Sequence, residues 1–429
     1  MPTGSDHISE ADRTILRDLA KRLADIAALP IQEQRRRQWT LHNDLRSKRP
    51  MIWLSPEGSW RELVPAESLK CEGETARQME GQLRRSIYYH DHFCDDNLVE
   101  KTWTIRRAIV SSGWGIEAQW HWSDEALGAR AFQPVIHKPS DLKQIRFPEI
   151  HEDTVETARR MTEAQQLFGD ILDIRLKGVA HVSFHLMAQY TALRGLEQVM
   201  EDMIEDPQWL HDAMRLLTDG HHHLMKQYID QNLLSLNNDW TYHNSGGNGF
   251  TSELPPPGFD PGHVRPCDMW GSAEAQELAL VSPQMHEEFS LRYERELLQP
   301  FALNGYGCCE DLTHKIDLAL TIKNLRRISI SPFADVDRCA QKLGDKAIYS
   351  WKPHPSHLVG RFDENRVRAY IRHTLDVTRA NGCVLEMILK DTRTCENRPE
   401  RFDLWCRIAR EEVELGPGFA DPVESHHTH

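Results

Sequence analysis

The sequence lacks any apolar run near the ~18–20 residues that cross a bilayer. It also lacks a basic excess, because 65 Asp and Glu residues outnumber 51 Lys and Arg residues and give a net charge of −14. This balance argues against non-specific nucleic-acid binding, which requires a basic surface. The polar segment 1–13 has no pattern of a secretory signal. We therefore expect a cytoplasmic protein that handles small molecules or protein partners, without nucleic acid or membrane.

The nine cysteines are an odd number spread over 429 residues. Without a secretory signal, disulfides are not expected, and the thiols are either buried small side chains or metal ligands. Hydrophobic residues make up 40% of the chain, which is enough to bury a sizeable core. The length allows one large domain or two ordinary ones.

Apolar periodicity divides the chain into three parts. Residues 1–48 have helical spacing, with Ser9 three positions before Asp12 as a helix cap, and predict an N-terminal helical extension. Residues 49–415 form the main domain, into which a β-rich segment is inserted at about 100–137. Residues 416–429 predict a flexible tail.

Short apolar runs followed by long amphipathic helices recur along the main domain. Eight such strand-then-helix units predict an α/β fold of the (β/α)8 TIM-barrel type, whose chemistry lies at the C-terminal ends of the strands. The predicted strands are Met51–Leu54, Ile171–Leu176, Leu233–Asn238, Asp268–Trp270, Ala302–Tyr306, Arg327–Ile330, Ala347–Ser350 and Cys383–Leu389.

The fifth predicted strand ends in the residues most typical of a metal site. Tyr306 is followed by Cys308, Cys309 and Glu310, with His314 one helical turn further on. Thiolate and imidazole are good zinc ligands, and a catalytic zinc needs only three protein ligands. Adjacent cysteines do not easily face one ion together, and a structural turn with buried thiols is the alternative.

The last two predicted strands also end in polar residues. Lys352 follows the seventh strand and can pair with an anion, or it lies on a rigid surface turn. Asp391 and Cys395 follow the eighth strand, which lies across a barrel from the fifth. They can complete a site with Cys308 or Cys309. Alternatively, Asp391 makes a loop hydrogen bond and Cys395 is inert.

The third and fourth predicted strands contribute further candidates. Asn238 and His243 follow the third strand, and His243 is either a ligand or base or an ordinary loop histidine. Trp270 and Glu274 come at the fourth strand, with Glu277 on the same face if that loop is helical. The i,i+4 pair His181 and His185 lacks the glutamate of the HExxH motif and predicts a metal only weakly.

Several segments together resemble the uroporphyrinogen decarboxylase superfamily, and most closely its corrinoid-linked methyltransferase-like branch. The resemblance runs from about residue 165 to 412 and rests on MWGSAEAQE with SPQMHEEF, LNGYGCCED, LRRISISPFAD, YSWKPHP and LKDTRTCENRPERF. It implies a single (β/α)8 barrel with its site at the C-terminal mouth. It further implies zinc that activates a thiol, which receives a methyl group from cobalamin on a corrinoid protein.

This sequence departs from the family pattern at several positions. Tyr306 stands at the histidine of the family's His-x-Cys motif, if Cys308 is the cysteine. Asp391 stands where the family has a cysteine after strand eight, with Cys395 nearby. The arginine segment after strand one and the Gly-His-Gly after strand eight, which the decarboxylases use, are missing. The resemblance therefore argues against porphyrinogen decarboxylation.

Three hypotheses follow. The first is an enzyme that transfers a methyl group between a small substrate and a corrinoid protein or thiol, assisted by zinc. The second is a metal-independent decarboxylase or lyase of a small aromatic or tetrapyrrole-like acid, with Asp391 and His243 as its acid/base pair. The third is a non-catalytic corrinoid- or tetrapyrrole-binding protein. The sequence does not determine whether the protein forms a homodimer.

For the first hypothesis the residues have distinct roles. The candidate metal ligands are Cys308, Cys309, Glu310 and Cys395; the candidate catalytic residues are Asp391, His243, Tyr306 and Lys352; and the candidate cofactor-binding residues are Trp270, Glu274 and Asn238.

Overall fold

The computed structural model describes residues 8–122, 130–242 and 246–416. Its helices are α1 (Glu10–Ala27), α2 (Pro30–Asn43), α3 (Trp60–Leu63), α4 (Glu74–His92), α5 (Thr154–Phe168), α6 (Leu186–Arg194), α7 (Leu196–Glu205), α8 (Pro207–Asp230), α9 (Pro283–His286), α10 (Arg292–Leu298), α11 (Ile316–Ala319), α12 (Val336–Leu343), α13 (Glu364–Ala380) and α14 (Glu400–Leu415). One π-helical stretch, Glu287–Leu291, joins α9 to α10.

The strands are β1 (Met51–Leu54), β2 (Thr102–Arg106), β3 (Ile109–Ser111), β4 (Gln119–Trp122), β5 (Arg130–Gln133), β6 (Ile150–Glu152), β7 (Asp173–Lys177), β8 (Ser183–Phe184), β9 (Trp270–Ala273), β10 (Leu303–Tyr306), β11 (Leu325–Ile330), β12 (Ile348–Trp351) and β13 (Val384–Leu389). Within these described residues, no helix is long and apolar enough to cross a membrane.

The described residues divide into two compact units. The first unit comprises 8–103, 163–175 and 344–416, and the second comprises 104–162 and 176–343, apart from the gaps given above. Each unit contains parallel strands covered by helices, which confirms the predicted α/β class. The two units together hold seven such strands, and a closed eight-stranded barrel is not shown.

The first unit contains three parallel strands in the order β1-β13-β12. Strand β13 is buried along its whole length, as expected for a strand with a neighbour on each side. The predicted N-terminal helices are present as α1 and α2. The side chain of Ser9 accepts a hydrogen bond from the backbone N–H of Asp12 at 3.0 Å, which confirms the predicted cap.

A buried polar network links α2 to the strands of the first unit. His42 Nε2 lies 3.2 Å from one carboxylate oxygen of Glu386 on β13, and the Ser350 hydroxyl donates to the other. Lys352 Nζ donates to the Ser350 Oγ and carbonyl oxygen at 2.6 and 2.9 Å. All four side chains are buried, so the network replaces the water that these groups lose on folding.

The second unit contains four parallel strands in the order β8-β9-β10-β11. Phe184, Ala273 and Tyr306 lie side by side at the ends of β8, β9 and β10. The residues that follow these three strands therefore meet at one edge of the sheet.

Two predicted strands lie outside the parallel sheets. The run predicted at 171–176 forms β7, at Asp173–Lys177. The run predicted at 233–238 makes only one isolated parallel bridge, between Leu234 and Val179. Strand β8 was not predicted, because two residues followed by a helix leave no detectable alternation of apolar and polar side chains.

The predicted β-rich segment is present and extends further than expected. Strand β4 pairs with β5, and β3 pairs with β6, both in antiparallel fashion. Because β6 begins at Ile150, the β structure continues beyond the predicted end near residue 137.

Removing Glu386 should destabilise the protein strongly. We predict that Glu386→Ala lowers the free energy of unfolding by ~3–5 kcal/mol, because buried His42 and Ser350 lose their shared partner and Lys352, which donates to Ser350, loses the carboxylate of its network. Urea denaturation followed by circular dichroism measures this. Glu33→Ala, which removes an exposed ion pair on α2, should cost less than about 1 kcal/mol. Equal losses in the two variants would contradict the prediction.

Candidate functional site

The strand ends of the second unit place four glutamates in one cluster, which we call the acid cluster: Glu274, Glu277, Glu294 and Glu310. Glu274 follows β9 directly, and Glu310 belongs to the loop after β10. The charge of Glu274 raises the pKa of Glu310. The charge of Glu310 in turn raises the pKa values of Glu277 and Glu294. The cluster is thus one coupled site.

His185 forms an ion pair with one member of the acid cluster, Glu274. Its Nδ1 lies 2.8 Å from Glu274 Oε1, and its Nε2 lies 2.7 Å from the Ser183 hydroxyl. The His185 side chain is 42% exposed, whereas that of Glu274 is 7% exposed. Burial disfavours the imidazolium, but the hydrogen bond and charge of Glu274 outweigh it and raise the pKa of His185. This pair presents an accessible imidazole whose protonated form is favoured by Glu274.

A buried hydrogen-bond chain extends from β10 to the helix that follows β9. The Tyr306 hydroxyl donates to Glu294 Oε2 at 2.8 Å, and the Ser290 hydroxyl donates to Oε1 at 2.9 Å. His286 Nε2 lies 2.7 Å from the Tyr306 oxygen, and burial lowers the pKa of His286 to about 3. The imidazole is therefore neutral, and its Nε2–H donates to Tyr306.

Burial decides the protonation of Glu294. It raises the pKa of this carboxyl to about 8, although the hydrogen bonds from Tyr306 and Ser290 act in the opposite direction. Burial also raises the pKa of Tyr306 well above its ordinary value. At neutral pH both groups hold their protons, so Glu294 is a buried carboxylic acid beside a phenol.

Glu310 and Glu277 complete the acid cluster. Glu310 accepts backbone hydrogen bonds from Cys308 at 2.7 Å and Ala275 at 3.3 Å, yet burial and the charge of Glu274 raise its pKa. Burial and the neighbouring carboxylates also raise the pKa of Glu277. One buried oxygen of Glu277 has no hydrogen-bond partner among the described residues. Both carboxyl groups therefore ionise less readily than exposed glutamates do.

Cys308 and Cys309, predicted as metal ligands, lie in the same loop as Glu310. Both thiols are half-buried, and their sulfur atoms are 3.5 Å apart. Within the described residues, no group of three His, Cys, Asp or Glu side chains is arranged to hold a metal ion. Because zinc requires at least three protein ligands, the metal-binding roles of Cys308, Cys309, Glu310 and Cys395 stay predictions.

The other candidates of the second unit have structural contacts. Trp270 begins β9, is fully buried and stacks on Tyr242 with ring centroids 4.8 Å apart. The Asn238 amide donates to the Leu254 carbonyl oxygen at 2.9 Å. His243 lies outside the described residues. The cofactor-binding roles of Trp270 and Asn238 stay predictions.

The candidates of the first unit lie near the ends of β12 and β13. Lys352 is held in the buried network of Glu386. Asp391 lies 3.4 Å from Lys390 Nζ, and its backbone N–H donates to Glu57. The Cys395 thiol lies 3.1 Å from the Glu62 carboxylate, and burial with this contact raises its pKa to about 11. Cys395 is thus a thiol rather than a thiolate at neutral pH. The catalytic roles of Lys352 and Asp391 stay predictions.

Sequence reasoning missed Glu294 and His286. A signal existed for Glu294, because it lies in phase with Leu291, Leu297 and Leu298 on an otherwise apolar helix face. A charge in that phase indicates either a buried functional group or an irregular helix. No comparable signal marks His286.

Comparisons with known proteins add little to this geometry. No family model matches the sequence, and no curated protein matches it. Among solved structures, a methyltransferase from Methanosarcina mazei shares 10% sequence identity with a TM-score of 0.47. The match covers 86% of this chain and 95% of that chain. A structural similarity of this degree assigns the chain neither to a family nor to a reaction.

The raised pKa of Glu294 has a consequence for stability. The folded protein binds a proton at Glu294 that the unfolded chain releases above its ordinary pKa of 4.5, so stability falls as pH rises from there toward about 8. We predict that Glu294→Gln removes this loss, which is at most about 1.4 kcal/mol per pH unit. Urea denaturation at pH 5, 6.5 and 8 measures the difference, with exposed Glu288→Gln as the control. If the free energies of unfolding of wild type and Glu294→Gln change with pH in the same way, the prediction is wrong.

Proposed function

We propose that this chain is an enzyme that transfers a methyl group between a small neutral or cationic substrate and a corrinoid, carried by a partner protein, or a thiol. The sequence resemblance to the corrinoid-linked branch of the uroporphyrinogen decarboxylase superfamily supports the reaction type. The proposed fold is the (β/α)8 barrel of that family, and the proposed location is the cytoplasm. The charge type of the proposed substrate is inferred from the acid cluster.

The charge of the acid cluster argues for a neutral or cationic substrate. Glu277, Glu294 and Glu310 form no ion pair within the described residues, and His185 pairs with Glu274 alone. Lys315 is buried nearby, but burial lowers its pKa, and its Nζ donates to the Leu278 carbonyl oxygen at 2.5 Å. A carboxylate substrate would raise the pKa of these carboxyl groups further, whereas a cationic methyl donor would favour their ionised form and be attracted by it. The decarboxylase alternative is therefore the weaker one.

His185 is the proposed proton donor. When a methyl group leaves a neutral oxygen, nitrogen or sulfur compound, the atom keeps the bonding electron pair and needs a proton, whereas a sulfonium or quaternary ammonium donor leaves as a neutral product without one. Glu274 raises the pKa of His185 and so favours its protonated form, and the exposed ring places Nε2 within reach of a substrate that displaces the Ser183 hydroxyl. In the reverse direction the same nitrogen removes that proton.

The buried residues keep the site dry and fixed. Tyr306 and Ser290 each donate a hydrogen bond to Glu294, and all three side chains are buried. A corrinoid supplies the methyl-accepting or methyl-donating centre when it is bound. Zinc would activate a thiol acceptor, but since the described residues do not form its site, we assign no step to it.

Methyl transfer can be measured directly. Purified protein is incubated with reduced cobalamin and methylated amines, thioethers or methoxy compounds, and in reverse with methylcobalamin and small thiols, while the corrinoid absorbance spectrum is followed. We predict turnover with at least one neutral or cationic methyl compound. Release of carbon dioxide from a carboxylate without corrinoid would refute the proposal in favour of the decarboxylase. Tetrapyrrole binding without any turnover would refute it in favour of a binding protein.

Glu274→Gln tests the proton-donor role. We predict a kcat lowered by ~10²–10⁴-fold, because His185 loses the carboxylate that keeps it protonated. The alkaline limb of the wild-type pH profile should lie above the ordinary histidine pKa of 6.5 and should move to lower pH in the variant. Glu201→Gln, on the exposed face of α7, is the matched control. An unchanged alkaline limb in Glu274→Gln would exclude His185 as the donor.

A further inference from the structure

The loop after β10 holds two neighbouring thiols in a fixed arrangement. The Gly307 backbone N–H donates to the Ala273 carbonyl oxygen at 3.0 Å, and Gly307 has a φ of 86° that favours glycine. The Cys308 N–H donates to Glu310 at 2.7 Å, and its carbonyl oxygen accepts from the Ser329 hydroxyl at 2.8 Å. The backbone of Gly307 and Cys308 is therefore anchored to the sheet and to a buried carboxylate.

The separation of the two sulfur atoms is the informative quantity. It is 3.5 Å, whereas a disulfide requires about 2.05 Å. Neighbouring Cα atoms across a trans peptide are about 3.8 Å apart, which is below the ~4.4–6.8 Å span of ordinary disulfides. Closing a disulfide between Cys308 and Cys309 would thus strain the anchored loop. The arrangement disfavours oxidation to a disulfide.

The same separation suits one atom bound by both sulfurs. With bonds of ~2.3 Å from each sulfur, two atoms 3.5 Å apart subtend an angle of about 100° at a bridging centre. Such a centre can bind without movement of the loop. Both thiols are half-buried rather than enclosed, so the position can be reached from solvent.

We propose that Cys308 and Cys309 form a dithiol site for a soft, thiophilic centre that needs only two protein ligands, with a trivalent arsenical as the representative ligand. Soft ligands such as thiolates select soft centres. Zinc fits this pair poorly, because Glu310 already accepts hydrogen bonds from Cys308 and Ala275, and the described part of the chain holds no group of three His, Cys, Asp or Glu side chains arranged for a metal ion. A monosubstituted arsenical brings its own third substituent. This inference does not rest on methyl transfer.

The binding reaction balances without an oxidant. Phenylarsine oxide reacts with two thiols to form two sulfur–arsenic bonds, and its oxygen leaves as water with the two thiol hydrogens. Arsenic stays trivalent and the sulfur atoms are not oxidised. The product is a ring that contains arsenic, both sulfur atoms and the backbone between the two cysteines.

Mass spectrometry of the folded protein tests the proposal. With phenylarsine oxide in slight excess, we expect one phenylarsenic group per chain, lost on addition of ethane-1,2-dithiol but retained in the same concentration of a monothiol. Cys308→Ser and Cys309→Ser should each abolish this adduct. Because the Cys94 thiol interacts with that of Cys406, these proteins are compared in a Cys94→Ser background, in which Cys267→Ser, which removes the other exposed cysteine, should leave binding unchanged.

Two results would overturn the inference. The first is an adduct that persists in Cys308→Ser or Cys309→Ser while circular dichroism shows that the variant is folded. The second is formation of a disulfide within the pair on treatment with dilute hydrogen peroxide, since that outcome contradicts the strain argued from the sulfur separation. The methyl-transfer assay is independent of both, so the two proposals fail separately.

Discussion

Parallel pairing of β8, β9 and β10 is the constraint on which the candidate site depends. The register that places Phe184, Ala273 and Tyr306 side by side also fixes where the chain leaves each strand. His185 and Glu274 are the next residues of two of these strands, and their 2.8 Å contact follows directly from that register. A shift of one residue in β9 would turn Glu274 toward the other face of the sheet and separate the pair.

Burial then determines the chemistry of the residues that the strands bring together. A carboxyl group that loses water without gaining a cation keeps its proton, and this is the situation of Glu294, whose pKa is about 8. Glu274 differs because His185 supplies a cation beside it. The acid cluster thus combines an ion pair near the surface with a protonated acid in the interior, and the difference arises from solvent access rather than residue type.

The sequence predicted part of this arrangement for sound reasons. Cys308, Cys309 and Glu310 stand out locally because two thiols and a carboxylate follow an apolar run, and the structure does place them at the end of β10. The cap at Ser9 was equally local and is present. The sequence did not indicate that His185 belongs to the site. Its ion pair is with Glu274, a residue 89 positions away in the chain that only strand pairing brings into contact.

The sequence by itself determined the α/β class, the helical N-terminal segment and the polar character of the strand ends. These follow from periodicity and short-range hydrogen bonding, which act within a few residues. Only the tertiary structure decided which carboxylates share a site, which of them remain protonated, and that two adjacent thiols lie 3.5 Å apart beside Glu310. Those properties depend on burial and on contacts between distant strands, and neither is encoded in any local stretch of residues.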